Sequence, residues 1–288
     1  MSVIRNSNLT HVPLTQMERF REFQSSHPCR RLDTAGAAWS YISCGEGAEA
    51  LLIFPGGLRV ADSMCAHIEM FEGYYHVLVP TYPPVRLLDA VIHGAVAILD
   101  AEGVSRANLL GQSYGGLVCQ AFLQRFPERA RKVVLSGTAP LMSVRWKVQL
   151  TNLLLPLAMV LPERTLMRIF RSLLTPLITT RAEARVFWDS YLADLMGRRL
   201  KKPDILSHLY TTRDAYMLYA GREGESSQWQ GDVLVIWGEE DHLNTDRGRR
   251  GLLSRYPRTQ IRVLAGCGHT AALSKPDDYA EVVRRFLE

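Results

Sequence analysis

Short apolar runs recur along the chain, and glycine or proline stops most of them. Trp39 to Ser43 alternates like a strand. Leu51 to Phe54 is a continuous apolar run that ends at Pro55-Gly56-Gly57. Val77 to Val79 stops at Pro80, Ala107 to Leu110 runs into Gly111, and Val133 to Leu135 is followed by Gly137. Between these runs, Leu87 to Leu99 and Leu117 to Phe126 have helical spacing and are bounded by Gly103 and Pro127. The pattern resumes with a strand at Val233 to Trp237 and a helix through Leu252-Leu253. A strand at Ile261 to Leu264 and a closing helix at Asp277 to Leu287 complete it. Strands apolar on both faces, alternating with helices, predict an α/β fold: a mostly parallel sheet covered by helices on both sides.

Two segments depart from this rhythm. Near the start, Thr15 with Glu18 reads as a capping box, and Met17, Phe20 and Phe23 recur at helical spacing, which predicts a helix ending before Pro28. Between Pro140 and about Gln230 strand signals vanish, and Leu, Met, Trp and Arg are punctuated by Pro156, Pro162, Pro176 and Pro203. This stretch reads as helices inserted between two strands, forming a cap over a sheet edge. The expected organisation is a single domain. Its core covers about 38–139 and 231–288, the helical cap about 140–230, and an N-terminal helical extension about 1–37. No internal repeat is present.

Composition narrows the class without changing the fold. With 47% apolar and 22% charged residues in 288, the chain has the balance of a soluble globular protein. The formal charge of +5 is mild and is not gathered into a stripe, so no nucleic-acid partner is expected, although weak contact with an anionic membrane surface is. The densest basic cluster, Arg198, Arg199, Lys201 and Lys202, reads as a solvated helix end. The five cysteines form no C-x-x-C pair, and Cys44, Cys119 and Cys267 read as reduced, buried small hydrophobes, which points to the cytoplasm. The first ten residues lack an apolar run behind Arg5, so no signal peptide is expected. The longest apolar stretch, Leu153 to Leu161, is far short of the ~20 residues that span a bilayer.

Chemistry concentrates in three places. Gly111-Gln112-Ser113-Tyr114-Gly115 fits G-x-S-x-G and lies between a predicted strand and a predicted helix. Such a turn is too tight for side chains at its flanks. It lifts Ser113 to the carboxyl edge of the sheet, over a helix N-terminus whose dipole favours negative charge. A serine hydroxyl needs a base and an orienting acid. Downstream stand His208, His242 and His269. His208 falls in the inserted helices and reads as a surface or cap residue. His269, in Gly266-Cys267-Gly268-His269 just after a strand, is the expected base. After the strand at Val233, Glu239, Glu240 and Asp241 could each serve as the acid on composition alone. Asp241 is favoured because it sits three residues past Gly238, where a turn would aim it at the sheet edge. His242 reads as a bystander.

These positions resemble the α/β-hydrolase superfamily. The resemblance rests on Gly111 to Gly116, on Trp237-Gly238-Glu239-Glu240-Asp241 and on Gly266-Cys267-Gly268-His269. It runs from about Trp39 to the end, with Pro140 to Gln230 matching the variable cap. It implies an α/β-hydrolase fold and a Ser113–Asp241–His269 triad. The implied oxyanion hole is built from the backbone N–H groups of Tyr114 and Gly57. Two segments differ from the common pattern. Pro55 stands where a loop-bracing His is usual, and Pro80-Thr81-Tyr82-Pro83-Pro84 looks more like the maspardin-related branch, some members of which act as binding partners.

The reaction that the resemblance implies is ester hydrolysis through an acyl-Ser113 intermediate. The expected partner is a small apolar substrate, and no metal or organic cofactor is needed. Carbon–carbon bond, lactone or amide hydrolysis would use the same triad, and a non-catalytic binding protein on the same fold is the contrasting expectation. Trp146, Leu153 to Leu155, Met159, Phe170, Phe187 and Trp188 offer apolar surface that could line an acyl pocket or simply pack the cap onto the core.

Overall fold

The computed structural model describes residues 14–34, 36–141, 145–218, 227, 229–242 and 245–288. The expected capping side chain of Thr15 and the side chain of Met17 lie outside the described ones. The strands are β1 (Arg30–Thr34), β2 (Ala37–Cys44), β3 (Ala50–Phe54), β4 (His76–Thr81), β5 (Ala107–Gln112), β6 (Ala130–Ser136), β7 (Val233–Gly238) and β8 (Thr259–Leu264). The helices are α1 (Leu14–Ser26), α2 (Cys65–Phe71), α3 (Leu88–Ala101), α4 (Tyr114–Arg125), α5 (Arg145–Val160) and α6 (Glu163–Leu174). They continue with α7 (Ala182–Asp194), α8 (Lys202–Met217), α9 (Asp246–Arg255), α10 (Ala271–Ser274) and α11 (Pro276–Leu287).

The eight strands form one sheet in the order β1-β2-β4-β3-β5-β6-β7-β8. β2 pairs antiparallel with both neighbours, and every pairing from β4 to β8 is parallel. β3, β5 and β7 are buried along their whole length because helices cover both faces. Successive side chains feed opposite cores. Leu51, Ile53, Leu110 and Val134 join one apolar cluster, while Leu52, Phe54, Leu109 and Val133 join the other. Among the described residues β8 has one strand neighbour, and it is exposed at Gln260, Arg262 and Val263.

The register aligns the carboxyl ends of the central strands. Phe54 is opposite Gly111, and Gln112 is opposite Ser136. The loops after β3, β5, β6, β7 and β8 therefore open on one edge, the position where open parallel sheets bind ligands. The helices α5 to α8 are inserted between β6 and β7. A π-turn, Leu195–Arg199, extends α7. It aims Arg199 at the buried Asp62, 2.8 Å away, to which Tyr191 also donates at 2.8 Å. The basic cluster is thus not a plain solvated end: Lys202 also caps α5 by donating to the carbonyls of Met159 and Leu161. No described helix is long and apolar enough to cross a membrane. All five cysteines are free, with Cys119 and Cys267 buried and Cys44 half-buried.

Of the apolar residues expected in the insertion, Leu155, Phe170, Phe187 and Trp188 are buried. Trp146, Leu153, Leu154 and Met159 are instead exposed, because the opposite side of α5 packs on α8.

His67 on α2 is 4% exposed, and neither ring nitrogen has a hydrogen-bond partner among the described residues. Its ring meets the Tyr279 ring edge-on at 5.6 Å. Burial pushes its pKa down to about 4. Unfolded chains take up the imidazole proton near pH 6.5, while the folded chain resists it until about pH 4, so stability falls as pH drops through that window. The slope from this one group is at most about 1.4 kcal/mol per pH unit. His67→Phe is expected to lose less stability between pH 7 and pH 5 than the wild type in urea unfolding. Equal losses in both would assign the acid sensitivity elsewhere.

Candidate active site

Ser113 leaves β5 at φ 54° and ψ −116°, a strained conformation that ends the strand and opens α4. Backbone bonds hold the turn: Ser113 N–H donates to Ser136 O at 2.8 Å, and Gly116 N–H to Ser113 O at 2.9 Å. The flanking glycines are sterically required. A Cβ at Gly111 would lie 2.6 Å from Gly115 O, and one at Gly115 would collide with the Phe54 carbonyl.

The three acids after β7 have separate fates. Glu240 is exposed. Glu239 is also exposed, and its carboxylate accepts the Gly266 N–H at 3.1 Å, bracing the loop after β8. Asp241 is buried and turns back on Gly238, its N–H donating to Gly238 O at 3.2 Å. Its Oδ2 accepts from His269 Nδ1 at 2.8 Å, and His269 Nε2 lies 2.8 Å from Ser113 Oγ. The carboxylate fixes the tautomer with the proton on Nδ1. Nε2 is then free to accept from the serine hydroxyl. Gln112 Nε2 donates to His269 O at 3.2 Å and ties the histidine loop to the turn that carries Ser113.

The structure thus brings Ser113, Asp241 and His269 into one hydrogen-bonded chain. His242 is exposed and stands outside it. His208, expected as a surface or cap residue, lies half-buried on one of the inserted helices. On α8 its ring packs against Tyr114 at 4.5 Å and Phe170 at 5.4 Å, because the insertion folds down over the sheet edge. Burial, with the Arg59 charge adding, pushes its pKa down to about 3, so it is neutral at pH 7.

Tyr114 is the first residue of α4, so its backbone N–H is one of the helix's unpaired terminal donors. Gly56 lies against the serine turn: a Cβ there would be 3.3 Å from Gln112 O and 3.6 Å from Ser113 Cβ. Gly57 follows on the same loop and faces Leu174 and His208.

Two cavities meet at Ser113 and His269. One, of about 70 Å³, is walled by Leu58, Met64, Leu174, Ile178 and Trp188, with Gly57 and His67 on its lining. The other, of about 240 Å³, is more polar and includes Thr138, Lys147, His208, Thr212 and Tyr216. Among the described residues no acid lines it, and Lys147, which donates to Tyr216 OH at 3.4 Å, has no carboxylate partner. Sequence pattern pointed to neither Lys147 nor His208, since both come from helices whose docking no local spacing encodes. A further concavity, of about 680 Å³, lies between α1, α2, α7 and α11 and is lined by none of the three residues.

A strained turn serine at a parallel-sheet edge, bonded to an imidazole and a buried carboxylate, is the site pattern of the nucleophile-elbow hydrolases. Residues 85–276, about two thirds of the chain, match the family described as alpha/beta hydrolase fold, and the chain belongs to that family. The chain is 24% identical over 259 residues to a 2-hydroxy-6-oxononadienedioate/2-hydroxy-6-oxononatrienedioate hydrolase of Klebsiella pneumoniae, covering 85% of this chain and 88% of the relative. It is 27% identical over 270 residues to a 2-hydroxy-6-oxo-6-phenylhexa-2,4-dienoate hydrolase of Burkholderia cepacia, covering 84% and 88%. A crystal structure of a hydrolase from Pseudomonas aeruginosa superposes with a TM-score of 0.74 at 19% identity, covering 90% of this chain and 98% of that one.

Proposed function

We propose that the chain is a serine hydrolase in which Ser113 is the nucleophile, His269 the general base and Asp241 the orienting acid. The observation that carries this reading is the 2.8 Å and 2.8 Å chain from Ser113 through His269 to the buried Asp241. His269 takes the Ser113 proton as Oγ attacks a carbonyl carbon. The Tyr114 and Gly57 amides hold the oxyanion. His269 then protonates the leaving group, and water releases the acyl chain by the same sequence. The inserted helices act as a cap over the site.

The primary substrate reading is a carboxylic ester with a short apolar part. The lobe of about 70 Å³ is small and lined mainly by apolar side chains, which suits a short apolar chain. A second reading, hydrolysis of a carbon–carbon bond in a carboxylate-bearing ketone, is favoured by Lys147. Its charge, without a carboxylate partner among the described residues, suits a substrate carboxylate, and the relatives are named as hydrolases of 2-hydroxy-6-oxo dienoates and dienedioates. A panel of nitrophenyl acetate, butyrate and decanoate beside a 2-hydroxy-6-oxo-dienoate separates the two. Fastest turnover of the acetate supports the ester reading, whereas turnover of the dienoate alone replaces it with the second. In Lys147→Met the KM of an acidic substrate relative to a neutral one is expected to rise about 10-fold or more, the worth of a charge-assisted hydrogen bond. An unchanged ratio would remove Lys147 from substrate recognition.

A further inference from the structure

Only two non-glycine residues among the described ones have a positive φ, Ser113 at 54° and Arg59 at 68°. Both lie at the same site. A long side chain in the left-handed region is strained, and glycine would sit there without strain, so the arginine is held in place by its surroundings.

Those surroundings are the oxyanion loop. Arg59 N–H donates to Gly56 O at 3.0 Å and closes a tight turn around Gly57 and Leu58. Its carbonyl accepts from Tyr82 N–H at 2.9 Å. Its side chain is wholly buried and reaches two other segments, donating to Pro83 O at 3.1 Å and to Ser207 Oγ of α8 at 2.8 Å. The guanidinium lies over the Tyr82 ring at 5.6 Å, and Tyr82 OH donates to Pro55 O at 3.2 Å. A circuit therefore runs from Arg59 through Tyr82 back to Pro55, on which no side-chain donor is available to brace the loop.

The charge of Arg59 is also unusual. It pairs with no carboxylate among the described residues, and its Nε and one terminal nitrogen have no hydrogen-bond partner there. A guanidinium does not discharge, so the fold carries a buried positive charge that, among the described residues, is met by the Pro83 carbonyl, the Ser207 hydroxyl and the Tyr82 ring and by no carboxylate. Its field is felt at the site, where it opposes the upward push of burial on the Tyr114 phenol and adds to the downward push on His208.

We propose that Arg59 is a positioning residue of the oxyanion loop, tying Pro55 to Gly57 to the Tyr82–Pro83 segment and to α8, and setting a fixed positive charge behind that loop, against the Tyr82 ring that packs on Tyr114. This role rests on the serine-hydrolase reading. It explains why an arginine occupies a strained backbone position and why it is buried without a counter-ion. It also gives Tyr82 and Pro83, the segment that departs from the common family pattern, a function as the far anchor of the brace.

The test compares Arg59→Gly, Arg59→Lys and Ser207→Ala with the wild type on nitrophenyl acetate, with circular dichroism as the check on folding. Arg59→Gly relieves the backbone strain and removes both brace and charge. Its kcat is expected to fall about 100-fold, the scale of one lost oxyanion contact, with KM within about threefold. Arg59→Lys keeps the charge and is expected to recover about 10-fold of that loss. Ser207→Ala removes only the tie to α8 and carries the test if the glycine variant does not fold; its kcat is expected to fall about fivefold at unchanged KM. A folded Arg59→Gly or Ser207→Ala with wild-type kcat, or a lysine variant no better than glycine, overturns the role of Arg59 alone. A folded wild type without turnover and without reaction at Ser113 overturns the hydrolase reading, and this role with it.

Discussion

Ser113→Ala is expected to lower kcat for an activated ester by about a million-fold, the scale seen when a triad nucleophile is removed. The substitution deletes one oxygen and one hydrogen bond, that to His269 Nε2. The turn is held by backbone bonds from Ser113 to Ser136 and from Gly116 to Ser113, which alanine retains. Folding and KM should therefore change little while turnover collapses. Steady-state kinetics with a melting curve on the same sample reads both. Loss of less than about 10-fold in a folded variant would mean that another group supplies the nucleophile.

Asp241→Asn should cost about 10,000-fold in kcat, nearly as much as the nucleophile although it touches no substrate. Its carboxylate accepts from His269 Nδ1 at 2.8 Å, and its side chain is fully buried. Asparagine preserves the shape, but its amide can present N–H to Nδ1 and favour the proton on Nε2. The base then faces Ser113 with a proton already in place. The imidazolium that forms in the reaction also loses its counter-charge in a buried setting, where electrostatic partners matter most. Glu239 and Glu240 cannot step in. Glu239 is engaged with the Gly266 N–H, and both glutamates point to solvent. The same ester assay at pH 7 measures the effect. A variant within tenfold of wild type would place the orienting acid elsewhere.

Much of this architecture was legible in the chain because its signals are local. The core strands read correctly, since short apolar runs of three to five residues, most of them stopped by Gly or Pro, have few other solutions in an α/β protein. β1 was missed: Arg30–Thr34 is polar, exposed on its outer edge, and becomes a strand only by pairing with β2. α2 and α10 were missed because they are short and their burial comes from packing, not from a stripe of their own.

The elbow, the acid loop and the histidine loop were equally readable, each being a strand end with its own turn chemistry. What sequence could not supply was the meeting of distant segments. Composition left Glu239, Glu240 and Asp241 open, and only the fold shows that Glu239 braces Gly266 while Asp241 is buried against His269. Nothing in the local sequence pattern singles out Arg59. Its meaning comes from contacts with Pro83 and with Ser207, more than a hundred positions away. His208 and Lys147 belong to the same class, residues whose place at the site is set by how α5 and α8 dock.

If Ser113 acts as proposed, it is an activated nucleophile facing a working oxyanion site. Intact-mass analysis after exposure to a fluorophosphonate tests it most directly, since the probe phosphonylates only a serine that is both deprotonated by its neighbour and able to place a developing oxyanion on donors. A single adduct on the wild type, absent from Ser113→Ala, is the result expected. A folded wild type that takes no adduct would contradict it and leave a binding protein on a hydrolase fold, and an adduct that persists in Ser113→Ala would contradict it by placing the reactive nucleophile elsewhere.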